Sequence, residues 1–368
     1  MKLASFHNGS HVALGEVRDD TITEIRIETS DGMVVNSMQS YLETLPLSRE
    51  LVEEQHRHDT RDGTPLRDAT LLSPIPHPPM LLDCSVAPRH LRQAAVTLLS
   101  RSMPRPIAVL AGPLIRPTVS WALARQAHGR VLYYKARTTS VVGDSAVIPW
   151  PAYTAYLDIE PELAVVVGEV PLGTPPSLVA ERIAGYTIFN DVSARDVQLR
   201  EMIGGGPAAS KDMDNGNVLG PWLVTADEFG DPLDHPVHVT TDRGRAWHGT
   251  TADYSHDPIT VIAELAERQH LSAGTVIGMG TVADTCGLER DEWIEPGEHI
   301  AITIDGIGTL HQQIGIPAQP PTSPWASRHL QPTPPQHNTT MSARQSITRS
   351  GLRTLRTSTP ITRHNPAD

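Results

Sequence analysis

Three carboxylates at alternate positions raise the first chemical question about this chain. In "YLDIEPELAVVVG", Asp158, Glu160 and Glu162 stand two residues apart. On a strand they would share one face, because side chains alternate with period two. Pro161 suits the beginning or the edge of a strand, and the apolar run Ala164 to Val167 follows at once. The strand therefore enters a core directly after Glu162, and a carboxylate at such a boundary requires a partner. Close carboxylates repel one another unless a cation sits between them. Hard oxygen donors without Cys or clustered His favour Mg2+, Mn2+ or Ca2+ over zinc. A solvated strand face is the alternative reading of the same alternation.

The stretch "GYTIFNDVSARDVQLREM" has the same character. Asp191 ends the apolar run Tyr186 to Phe189. Ser193 then has the spacing of an N-cap, with Asp196 three residues on as in a capping box. Arg195 and Gln198 lie at i and i+3 on the predicted helix and point the same way. Either this is a capped surface helix, or it aims donors at a substrate, and the pattern alone leaves both open.

The elements that must position these groups are mostly strands. Residues 1 to about 70 alternate short strand-like stretches with one polar helix-like stretch, "SMQSYLETL", and read as a small β-rich module. Leu91, Ala94, Ala95, Leu98 and Leu99 recur at helical spacing behind Pro88, which predicts a helix from about residue 88. Beyond it, strand-length apolar runs such as "ELAVVVG", "PWLVT", "GTVIGM" and "HIAITIDG" are separated by Gly, Pro and Asp, and helices are few. The expected class is α+β, mainly β, with a mixed or antiparallel sheet in place of a doubly wound one. From Ala318 to Asp368 the chain is rich in Pro, Thr, Ser and Gln, with six Arg against one acid. Such a segment buries too little apolar surface to offset its conformational entropy, so a disordered tail is expected, and its removal should change little.

Bulk properties narrow the function. The 368 residues carry a formal charge of −12, which argues against nucleic acid as the partner. Only Cys84 and Cys286 are present, far apart, which excludes a zinc finger and a disulfide scaffold. The first residues lack an apolar signal region and no run reaches membrane length, so a cytoplasmic protein without a membrane partner is expected. No G-x-S-x-G elbow occurs, which argues against a serine hydrolase. "MIGGGPAAS" is not followed by G-K-[ST], so a phosphate loop is discarded.

"GYTIFNDVSARDVQ" resembles the core motif of the fumarylacetoacetate hydrolase family. Further segments agree in order and spacing: "LDCSVAPRH", "YYKARTTSVVG", "YLDIEPELAVVVG", "GPAASKDMDNGNVLGPWLVT" and "GMGTVADTCGLERDEWIEPGE". The resemblance covers roughly residues 70 to 317 and implies a mixed β-sandwich roll for a catalytic domain at 71–317, preceded by the module at 1–70 and followed by the tail at 318–368. It implies divalent-metal ligands at Asp83, Glu160, Glu162 and Asp191, with Mg2+ the expected ion. It implies His90 as general base oriented by Glu289, with Lys211 assisting catalysis and Tyr134, Arg195 and Gln198 contacting substrate. The expected reaction is hydrolysis of a carbon–carbon bond in a β-diketone or acylpyruvate-type acid, by a homodimer. Alternatives are a 2-oxo acid decarboxylase or dienoate isomerase/hydratase on the same site, and, in another class, a non-catalytic binding protein retaining the fold.

Overall fold

The apolar run ahead of Gly168 is buried on both faces, which is why it shows no polar alternation. A computed structural model describes residues 1–126, 130–204, 206–323 and 325. In the strand Pro161–Val167, Leu163, Val165 and Val167 face one core cluster, together with Ile188, Val237 and Ile302. Ala164 and Val166 face a second cluster with Leu3, Tyr41, Phe189 and Leu223. Period two assigns successive side chains to opposite faces, and here both faces are covered.

Among the described residues, twelve strands build the main sheet. Its centre runs from Lys2–Asn8 through Asn217–Thr225, Ile183–Asp191, Pro161–Val167 and Val276–Gly278 to Leu81–Cys84 and Tyr133–Lys135. A second sheet of five strands contains Ala146–Ile148, Gly308–Ile314, His299–Ile304, Pro236–Thr241 and Ala246–Thr250. The larger core cluster is shared by side chains of both sheets. The architecture is α+β and mainly β, a mixed sandwich roll.

The β-rich stretch before residue 70 is continuous with that sheet, since Leu3 pairs with Leu223 and Lys2 with Val224. Its predicted helix is Met38–Glu43, capped by Ser37. The helix expected from residue 88 is Pro88–Ser102, with Pro88 in its first turn and Ala94 and Leu98 buried. A second helix, Arg105–Gln126, follows it and contains Pro113 and Pro117, each of which removes a helical N–H.

Two expectations need correction. Ser193 does not cap a helix: it lies in the short strand Ser193–Ala194, pairs with Asp158, and its hydroxyl donates to the Asp191 carbonyl. Asp196 instead accepts from the Thr154 hydroxyl and, at 3.1 Å, from the Ala155 N–H. The expected tail begins too early at 318, because the Thr322 N–H donates to the Ala152 carbonyl at 3.1 Å and Trp325 is buried beside Tyr156, ring centroids 4.6 Å apart. Residues 326–368, the rest of the expected tail, lie outside the described residues.

Candidate metal centre and active site

Register brings three carboxylates to one end and one face of the main sheet. Asp83 pairs with Gly278 on one side and Tyr134 on the other. Gly278 pairs with Ala164, and Glu162 pairs with Phe189, two residues before Asp191. Alternation places Asp83 with Leu81, Glu162 with Ala164 and Asp191 with Phe189, all toward the second core cluster. Gly278 must lack a side chain here, since a Cβ would stand 2.5 Å from Glu162 Oε2 and 2.9 Å from the Phe189 ring.

Glu160 joins them from the residue before the strand. Its N–H donates to Asn190 Oδ1 at 2.8 Å, and Asn190 Nδ2 donates to Gln312 Oε1 at 2.5 Å. The abrupt change from Ile188-Phe189 to Asn190-Asp191 thus serves two ends: Asn190 fixes the Glu160 backbone to the second sheet, and Asp191 enters the site. Asp83, Glu160, Glu162 and Asp191 are all buried and each offers an oxygen within 4.8 Å of the others.

The electrostatics fit a cation. Burial, then the neighbouring Asp191 charge, pushes Asp83 well above the usual carboxylate range. Burial followed by Asp83 and Asp191 does the same to Glu162, and burial also raises Asp191. Asp83 Oδ1, Glu162 Oε1 and Asp191 Oδ1 are buried without a hydrogen-bond partner. Three unpartnered buried acceptors on residues of one cluster suit a hard divalent ion. Glu160 differs: burial would raise it, but Arg195, Lys211 and His90 outweigh burial and hold it low.

His90 lies in the first turn of its helix and is buried. Its Nδ1 meets Glu289 Oε1 at 2.9 Å, and its Nε2 stands 3.8 Å from Glu160 Oε1. Glu289 comes from the short helix Gly287–Arg290. Lys211 donates to both Glu160 and Asp191, and the Tyr134 hydroxyl donates to Asp191. Burial works against the Lys211 ammonium, but Asp191, Glu160 and Asp83 outweigh it and keep it charged. A cavity of about 390 Å³ is lined by His90, Tyr134, Glu160, Gln198 and Lys211, with the half-exposed Leu132 and Met202 also on its wall.

Arg195 lies against the carboxylate Glu160 and the cavity residue Gln198. It is fully buried behind Glu160, outside the cavity lining, and binds Asp158 and Glu160, while its Nη1 donates to Gln198 Oε1 at 3.1 Å. The sequence reading also missed Glu201, whose carboxylate accepts the N–H groups of Ala208, Ala209 and Ser210 at 2.8–2.9 Å and so holds the turn that delivers Lys211. Nothing in the local pattern separates Glu201 from an ordinary helix-surface acid.

The fold and the clustered carboxylates define a class of sheet-rich protein with a buried acidic site, and comparison with known proteins gives the family. The chain belongs to the fumarylacetoacetate hydrolase family: the family description "Fumarylacetoacetate (FAA) hydrolase C-terminal" matches residues 119–315. Asp83 and His90 precede that match. An uncharacterized protein of Staphylococcus haemolyticus (strain JCSC1435) is 31% identical over 183 residues, 49% of this chain, and the chain spans only 60% of that relative's length. A putative HpcE protein from Mycobacterium smegmatis has a similar structure, with TM-score 0.64 and 22% identity over 87% of this chain and 100% of that one. So does a maleylpyruvate hydrolase from Sphingobium sp. SYK-6, solved in complex with manganese (II) ion and pyruvate, at TM-score 0.60, 20% identity, and 86% and 99% coverage. A 2-hydroxyhepta-2,4-diene-1,7-dioate isomerase from Mycobacterium marinum aligns at TM-score 0.59 and 23% identity, covering 86% of this chain and 98% of that one. These likenesses show the fold, and the relatives' names include both hydrolases and isomerases.

Proposed function

We propose that this protein is a metal-dependent hydrolase that cleaves a carbon–carbon bond in a β-diketone or acylpyruvate-type acid. The observation that carries the reading is the His90–Glu289 pair beside the carboxylate cluster. With Nδ1 held by Glu289, His90 turns Nε2 toward Glu160 and the cavity. A neutral ring in that tautomer has an acceptor there, able to take a proton from water. Lys211 supplies fixed positive charge where the departing carbanion and its carboxylate gather negative charge. Gln198 and Tyr134 line the same cavity and orient an acid with several oxygens.

Asp83, Glu160, Glu162 and Asp191 would hold the cation, with Mg2+ favoured by the all-oxygen donor set and Mn2+ or Ca2+ compatible with it. When bound, such an ion supplies Lewis-acid polarisation of substrate oxygens. Isomerisation, or decarboxylation of a 2-oxo acid, is the second reading, supported by the structural similarity to an enzyme named as an isomerase. A homodimer is also proposed, supported by Ile107, Val109, Leu110 and Leu114, each more than half exposed on the helix Arg105–Gln126. Light scattering at micromolar concentration should give twice the chain mass, and a monomer would count against the pairing.

A panel of acylpyruvates, fumarylacetoacetate-like diketones and oxaloacetate, each assayed with Mg2+ and with Mn2+, tests the reaction. Hydrolysis of a diketone that depends on His90 supports the proposal. Turnover confined to oxaloacetate decarboxylation, or to an isomerisation insensitive to His90→Ala, would replace it with the second reading.

A further inference from the structure

Asp158 shares the alternation of Glu160 and Glu162 yet takes no part in the carboxylate cluster. The chain leaves the strand Leu157–Asp158 before Pro161–Val167 begins, so the Asp158 side chain is directed elsewhere. It is fully buried, and both its oxygens are engaged. Oδ1 accepts the Gly287 N–H at 2.9 Å, and Oδ2 accepts the Leu288 N–H and Arg195 Nε, each at 2.9 Å. Gly287 permits this approach, because a Cβ there would stand 2.8 Å from Asp158 Oδ1.

These contacts close a ring. Arg195 runs from Asp158 to Glu160, and Asp158 anchors the two residues that precede Glu289. Glu289 holds His90, whose other nitrogen returns to Glu160. One carboxylate therefore links the arm that holds a cluster ligand with the arm that holds the proposed base. Lys211 supports Glu160 independently, whereas the 287–290 turn has Asp158 as the acceptor at its first two N–H groups. Loss of the anchor should thus fall on Glu289 and His90 more than on the cluster.

We infer that Asp158 is a positioning residue that acts through Glu289, setting the place of His90 relative to Glu160. The inference rests on the proposed role of His90, but its primary test needs no substrate. Hydrogen exchange on the unmutated full chain should show the Gly287 and Leu288 amides as slow as those of the central strands. Exchange at the rate of a surface loop would overturn the inference whatever reaction the enzyme performs.

Asp158→Asn then tests the direction of coupling. It keeps the shape but replaces one acceptor oxygen by a donor group. Exchange at Gly287 and Leu288 should rise at least tenfold, with Mn2+ affinity by calorimetry changed less than about threefold. With the best substrate, kcat should fall at least tenfold with KM within about threefold, since sub-ångström placement of a base governs the rate. In a Glu289→Gln background the same change should cost less than twofold more. Fully multiplicative losses in the double variant, or lost Mn2+ binding with unchanged exchange, would contradict the inference. Should Asp158→Asn fail to fold, the exchange measured on the unmutated chain decides the matter.

Discussion

Replacing His90 by alanine separates chemistry from architecture. Its Nε2 stands 3.8 Å from Glu160 Oε1, and it is not among the clustered carboxylates Asp83, Glu160, Glu162 and Asp191 that would hold the cation. His90→Ala should therefore retain the cation, with Mn2+ affinity by calorimetry near that of the unmutated protein. The structural cost is local: the Glu289 side chain, which has 0% exposure, loses its partner at 2.9 Å. An orphaned buried acceptor costs about 1–3 kcal/mol, which in a chain of this size lowers the melting temperature by a few degrees. The catalytic cost is larger. A positioned general base contributes roughly two to four orders of magnitude, about 3–5 kcal/mol of barrier, so kcat should fall by that factor. Single-turnover assays on the best diketone, beside thermal melts and calorimetry on the same sample, separate the two effects. Near-normal kcat, or activity that merely tracks the folded fraction, would refute water activation by His90.

Glu162→Ala should do the reverse, losing cation binding by at least an order of magnitude, because it removes one of the four proposed ligands while Asp83 and Asp191 still repel. Calorimetry showing unchanged Mn2+ affinity would contradict the ligand set. Stability of the cation-free protein should fall as pH rises. Burial and mutual repulsion raise Asp83, Glu162 and Asp191 above the usual carboxylate range, so their contribution is complete below about pH 4 and is lost as pH climbs through the raised values. Glu160, held low, contributes in the opposite sense but only below that range. Melting temperature in EDTA should thus drop as pH rises beyond the usual carboxylate range and flatten when Mn2+ is saturating; an equal slope with and without Mn2+ would be inconsistent with a cation at the cluster. Trp325→Ala should destabilise by about 3 kcal/mol, read by chemical denaturation, since Trp325 packs on Tyr156 and Trp293 at 4.6 and 5.6 Å between centroids.

The part of the site legible in the sequence is the part built by period two and strand ends. Glu160, Glu162 and Asp191 stand where apolar runs begin or stop, and a carboxylate there announces itself. Asp83 and His90 became legible only through the family resemblance, since a single Asp in "LLDCS" and a single His in a helix have no distinguishing spacing. Asp158 shows why alternation misleads: the chain leaves the strand between it and Pro161, and its carboxylate turns to Arg195 and the 287–288 amides. Ser193 and Asp196 had capping-box spacing, but strand pairing with Asp158 and bonds from Thr154 and Ala155 claimed both. Arg195 illustrates the remaining gap, since its ion pairs with Asp158 and Glu160 join positions that are 37 and 35 residues away and leave no local pattern.

Dependence of turnover on the cation tests the central claim most directly. With a diketone or acylpyruvate that the enzyme cleaves, activity should vanish in excess EDTA and return when Mg2+ or Mn2+ is added in excess over the chelator. Full turnover in excess EDTA would contradict a reaction built on Asp83, Glu160, Glu162 and Asp191.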